Sequence, residues 1–148
     1  MTDRSPNPDK LLEMTAAFYE RAVEDEVIGE MFSKAATDHA AHLASWLSVV
    51  FGGSRDYLRE RGDLGFVMYK HMGLGISEAQ RARWANLMMD AAAEQFGDDE
   101  AFLRRIARFV HSITHSVREV SNLESDEVRR MIGLAPGEEM LPISDEAN

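Results

Sequence analysis

Apolar positions recur along this chain at the three-to-four residue spacing of helices. Leu11, Met14, Phe18 and Ala22 share one face, with Leu12, Thr15 and Tyr19 beside them, so Tyr19 borders the buried side. Asn7-Pro8-Asp9 opens that helix with a polar cap, a proline at the first position and an acid at the positive end of the dipole. After the charged break Glu24-Asp25-Glu26, Val27, Ile28, Met31 and Phe32 predict a second short helical patch. Thr37 or Asp38 is expected to cap a third helix, which carries His39, Leu43, Trp46 and Val50 on a single face and His42 one step round it. Gly52-Gly53 stops that helix, since both glycines can take left-handed conformations. Ser54 to Arg61 predicts a brief amphipathic turn with Tyr57 and Leu58 inward, ended by Gly62.

Next comes the stretch from Phe66 to Ile76, in which His71 stands among large apolar residues. Gly73 and Gly75 follow closely, which places His71 at or just past the end of a short helix. Ser77-Glu78-Ala79-Gln80 is a capping box, and the helix it opens presents Trp84, Leu87, Met88 and Ala91 inward. Gly97-Asp98 separates it from a last long helix facing inward through Phe102, Ile106, Phe109, Ile113, Val117 and Val120. From Leu123 the pattern weakens. One short helix through Met131 and then an acidic, loosely held tail are expected. The chain thus divides into a polar arm (1–10), one domain (11–122) and an acidic extension (123–148).

Composition narrows the class. Aliphatics, alanine and nine methionines dominate over β-branched runs, which predicts an all-helical fold. At 148 residues one domain can bury a real core. A net charge of -10 argues against nucleic acid or an anionic membrane as partner, since each needs a basic face. The absence of cysteine excludes thiolate chemistry and fits a cytoplasmic protein. No signal peptide and no membrane-spanning run is visible.

Three histidine groupings carry candidate chemistry. His111 and His115 are four apart, but Arg104, Arg108 and Arg118 share their face and would repel a metal ion, so a solvated surface is expected there. Asp38, His39 and His42 could hold zinc or iron with a fourth ligand, although the spacing matches no strong signature. His71, in its apolar wall, is either a tucked-in core histidine or a ligand. No phosphate-binding loop and no nucleophile motif accompanies them.

Order and spacing resemble the group II truncated haemoglobins over about Leu11 to Asn122. The matching stretches are Phe18-Tyr19, Glu24 to Val27, Trp46-Leu47 to Gly52-Gly53, Tyr57, Arg61-Gly62, Lys70-His71 with Ile76 five residues on, and Arg81 before Trp84. The resemblance implies a two-over-two sandwich of helix pairs holding haem b (iron protoporphyrin IX), with His71 as proximal ligand to the iron. Lys70 would pair with a propionate, and His42 would lie near one. Tyr19, His39 and Trp84 would form a polar distal pocket, with Phe32 packed on the haem and Leu43 one turn beyond His39. Trp46, Tyr57, Leu74, Ile76 and Met88 would complete the cofactor wall. Met72-Gly73-Leu74 stands where the family usually has Ala-Pro-Phe, Ser5 to Pro8 replaces a glycine pair, the distal histidine is unusual, and the tail beyond Leu123 has no counterpart.

The function implied is reversible binding of dioxygen and other diatomics (nitric oxide, carbon monoxide) by a monomer or homodimer. The alternatives are a haem redox enzyme, a nitric oxide dioxygenase or peroxidase served by an unidentified reductase, and a six-coordinate electron-transfer or sensor globin with His39 on the iron. A helical module without haem, carrying a structural metal or a partner groove, is the remaining alternative.

Overall fold

The computed structural model describes residues 5–33, 39–53 and 55–141, and these form helices joined by turns. The helices are α1 (Pro8–Glu24), α2 (Gly29–Ser33), α3 (His39–Val50), α4 (Asp56–Glu60), α5 (Leu64–Lys70), α6 (Glu78–Phe96), α7 (Glu100–Asn122) and α8 (Ser125–Met131). Helix α1 packs on α3 and α6, and α6 packs on α7, which gives the expected two-over-two arrangement. The expected cap at Thr37 or Asp38, the start of the turn at Ser54 and the last residues of the tail lie outside the described residues.

Helix α1 begins as its sequence dictates. The Asn7 side chain accepts hydrogen bonds from the backbone N–H groups of Asp9, at 2.8 Å, and Lys10. It thereby satisfies donors that the helix itself leaves unpaired. Leu11, Met14, Phe18 and Ala22 are fully buried and meet Ala44 and Leu47 of α3, Ala91 and Ala92 of α6, and Phe102 and Ile106 of α7 in one core. Burial of each large side chain among these contributes about 1.5–3 kcal/mol. At the start of α6 the capping box is complete. The nearby Arg81 guanidinium, almost buried, forks onto Glu78 at 2.7 Å and donates to the Thr114 hydroxyl at 3.1 Å, fastening α6 to α7.

Helix α3 has two working faces. Ala44, Leu47 and Ser48 are buried, whereas His39, Leu43 and Trp46, the face legible in the sequence, line a cavity. Helix α7 is split similarly: Val110 and Thr114 are buried in the packing, while Phe109 and Ile113 turn to the cavity.

Two expectations are corrected. Of the two glycines only Gly52 adopts a positive φ, of 86°; Gly53 instead packs closely on α3, where a Cβ would meet the Ser48 hydroxyl at 2.4 Å and the Ser48 carbonyl at 3.3 Å. The stretch after Met131 is not loosely held throughout. Leu134 N–H donates to the Arg129 carbonyl, Arg129 Nε to the Glu138 carbonyl, and Gly137 N–H to the Asp126 carboxylate. These bonds fold residues 133–138 back on α8, because the Gly133 and Gly137 turns (φ 90° and 73°) bring the segment's own backbone groups to the Arg129 carbonyl and to the Arg129 and Asp126 side chains.

Candidate functional site

The packing of α1, α3, α5, α6 and α7 leaves a cavity of about 650 Å³. That volume lies within the roughly 300–1,000 Å³ range of small-molecule and cofactor sites. Of the residues expected around a cofactor, Tyr19, Phe32, His39, His42, Leu43, Trp46, Tyr57, Lys70, His71, Leu74, Ile76 and Trp84 all line it. Met88 does not. It is buried in the helical core, one turn beyond Trp84 on α6.

His71 owes its place to α5. Asp63 caps that helix through the Phe66 N–H, and His71 ends it in non-helical backbone. The imidazole Nδ1 lies 2.7 Å from the Val67 carbonyl one turn back. A carbonyl can only accept, so Nδ1 carries the proton and Nε2 bears the lone pair. Burial, and then His39 and Lys70 nearby, hold the imidazole below its ordinary pKa, although the bond to Val67 works in the other direction. His71 is therefore a neutral base in an apolar wall. Its ring lies nearly parallel to the Trp84 indole, 19° between planes and 6.5 Å between centroids.

Tyr19 and Phe32 face the same cavity and, with Phe18 behind them in the core, form an edge-to-face aromatic cluster with centroids 5.2 to 5.5 Å apart. Tyr19 Oη and His39 Nδ1 are 3.4 Å apart. In one tautomer the hydroxyl donates to the ring. In the other the ring donates, and the hydroxyl proton can go to a third group. Burial pushes the Tyr19 phenol up to about 12, so it stays protonated as a donor.

Cations border the apolar wall at one place. Arg61 and Lys70 stand over the Phe66 ring at 5.8 and 5.9 Å, and both belong to the cavity lining. The arrangement suits a flat, mainly apolar group that carries acid substituents and offers one position to a neutral nitrogen base.

Sequence reasoning missed several wall residues. Phe109, Ile113 and Val117 face inward as expected, but they border the cavity as well, and Ile28, Met31, Phe66, Val67 and Arg61, to which the sequence reading gives no cofactor role, also line it. The usable signal was the width of the apolar stripe on α7, broader than one packed face needs. His111 and His115 sit together, with ring centroids 4.6 Å apart, beside the Glu78–Arg81–Arg118 ion pairs. Desolvation, followed by Arg81 and His111, lowers the His115 pKa, a setting hostile to a cation. Among the described residues no three His, Cys, Asp or Glu side chains gather as a metal site; Asp38 lies outside them. Nor is any helix among the described residues long and apolar enough to cross a membrane.

Comparison with known proteins adds family membership. No curated protein matches the chain. Among solved structures, a haemoglobin from the thermophilic phototrophic bacterium Chloroflexus aurantiacus is similar, with a TM-score of 0.68 and 21% identity. The match covers 81% of this chain and 95% of that one, and at this identity it supports the helical fold. The family model for bacterial-like globins matches residues 8–119. With the matched segment containing every residue that lines the cavity, the chain belongs to the bacterial-like globins, a haem-binding family.

Proposed function

We propose that this protein is a group II truncated haemoglobin that binds haem b through His71 and retains dioxygen, or another diatomic ligand such as nitric oxide or carbon monoxide. The observation that carries this reading is the His71 imidazole, neutral, with Nδ1 engaged by Val67 and its ring in the wall of a cofactor-sized cavity. Haem, when bound, supplies an iron with one open position for a diatomic ligand.

The chain's own residues do the rest. His71 Nε2 donates its lone pair, and the Val67 bond fixes the tautomer and ring orientation, as second-shell partners of metal-binding histidines do. Lys70, with Arg61 and His42 in the same wall, neutralises the propionates. Phe32, Leu43, Trp46, Tyr57, Leu74 and Ile76 exclude water from the faces. Tyr19, His39 and Trp84 offer hydrogen-bond donors to a ligand that has taken up electron density. Each such bond in a dry pocket contributes about 1.5–3 kcal/mol. Two of them slow ligand loss more than tenfold, roughly, which suits retention better than delivery.

An absorption spectrum of the purified protein, ferric, ferrous and with carbon monoxide, tests the reading. A haem spectrum with an open position supports it; a protein colourless after haem supplementation overturns it. The contact of Tyr19 Oη with His39 Nδ1 favours a second reading, redox chemistry on the ligand with His39 moving protons and a reductase supplying electrons. Turnover no faster than that of free haem removes this second reading. Ligation of the iron by His39 is removed by a ferrous spectrum that contains only a five-coordinate species.

A further inference from the structure

After His71 the chain reaches α6 through Met72 to Ser77, a stretch without regular structure whose backbone groups need partners. Gly73 and Gly75 turn it, at φ 74° and 63°. The partners come from the last residues of α7. Gly75 N–H donates to the Ser121 carbonyl at 3.0 Å, Ile76 N–H donates to the Ser121 hydroxyl at 3.0 Å, and Asn122 Nδ2 donates to the Ile76 carbonyl at 2.8 Å. Both side chains are aimed from behind. The Ser121 hydroxyl donates to the Arg118 carbonyl at 2.7 Å, and Asn122 Nδ2 reaches that same carbonyl at 2.8 Å. Ser121 and Ile76 are buried, and Ile76 lines the cavity.

Helix α8 packs against α5, with Val128 fully buried. Gly65 of α5 faces Ile132, just past the end of α8, at van der Waals range: a Cβ there would lie 3.6 Å from Ile132 Cβ. Thus α5 is backed by α8, and the loop that leaves it is stitched down, with His71 between. All of these contacts come from residues beyond the family-matched segment, which ends at 119.

We propose that the end of α7 together with α8 forms a brace for the cofactor-ligating side of the cavity, with Ser121 and Asn122 as positioning residues that set the His71 imidazole. This inference rests on the haem reading above, and its test separates the two. Ser121→Ala removes the bond from the Ile76 N–H, Asn122→Ala the bond to the Ile76 carbonyl, and the double variant both, leaving only the backbone bond from Gly75 to the Ser121 carbonyl. Ser121→Thr keeps the hydroxyl, and Ile106→Val, in the core and outside the cavity wall, controls for general loss of stability.

In haem-loaded protein the double variant loses haem to apomyoglobin about tenfold faster, the effect of one to two lost buried hydrogen bonds. Its ferrous iron–histidine stretching band shifts and broadens, while Ser121→Thr and Ile106→Val keep the parent band. A parental band and loss rate in the double variant, or the same change in Ile106→Val, overturns the proposal. In the apo protein, amide exchange at Ile76 speeds up in the double variant while α1 amides stay protected; unchanged exchange at Ile76 also overturns it. A chain that takes up no haem yet shows this exchange pattern retires the haem reading and leaves the brace around the His71 loop standing.

Discussion

The Tyr19 hydroxyl stands 3.4 Å from His39 Nδ1 and links the first long helix to the third inside the cavity. Tyr19→Phe removes both the donor and the restraint on the imidazole. Oxygen dissociation should rise about tenfold, the effect of one charge-assisted bond. His39→Phe in the same background should add less than it does alone, because the two residues act as a unit. Stopped-flow displacement by carbon monoxide measures all three rates. Parental rates in both single variants remove the pair from ligand retention.

Burial keeps His71 neutral below its ordinary pKa of 6.5. Unfolding exposes it, so as pH falls through 6.5 the unfolded chain takes up a proton that the folded chain refuses. The apo protein should therefore lose thermal stability below pH 6.5, and His71→Gln should flatten part of that slope. Part remains, because His115 is shifted in the same direction. An identical slope in the variant contradicts this account. Haem uptake by His71→Gln should be lost at any pH, read from the absorption spectrum.

Glu78 is held at about 2, from an ordinary 4.5, chiefly by its hydrogen bonds to Arg81. Above pH 4.5 the carboxylate is ionised in folded and unfolded chains alike, and its stabilising effect is fully present. It is lost as pH falls from 4.5 towards about 2. Glu78→Gln should lower the unfolding temperature near neutral pH and flatten the acid limb, as followed by circular dichroism. A steeper acid limb in the variant speaks against the assignment.

Gly62 and Gly75 both take positive φ, but their surroundings differ. At Gly62 (φ 147°) a Cβ would lie 2.8 Å from the Phe66 Cβ, in the cavity wall; at Gly75 (φ 63°) nothing stands within 4 Å. Gly62→Ala should cost about 2–4 kcal/mol, combining backbone strain with overpacking. Gly75→Ala should cost only the left-handed penalty, about 1–2 kcal/mol. Urea midpoints of the two variants compare the costs directly, and equal losses would refute the steric difference.

The sequence made the helices legible because their signals are local. Asn7-Pro8, the Ser77–Gln80 box and the Gly52-Gly53 stop each act within a few residues of themselves. His71 was placed at the end of a helix by the same kind of reasoning, from two nearby glycines. Local pattern cannot divide one apolar stripe between core and cavity, so Phe109 and Ile113 read only as inward-facing and Met88 as a cofactor residue. The division depends on which neighbour each residue meets, a matter of tertiary packing. The stitching of Gly75 and Ile76 by Ser121 and Asn122 was hidden for a related reason: the partners lie some 45 residues apart, and serine and asparagine near a helix end usually mean no more than a cap.

The double duty of α3 separates two kinds of evolutionary pressure. Ala44 and Leu47 hold the scaffold, so change there is punished through folding. Leu43 and Trp46, on the neighbouring flank, bear on whatever occupies the chamber. Substitution at Trp46, which lines the chamber without packing on the core, can therefore retune affinity while the α1–α3 seam keeps its shape, and new ligand preferences can arise without the architecture being rebuilt.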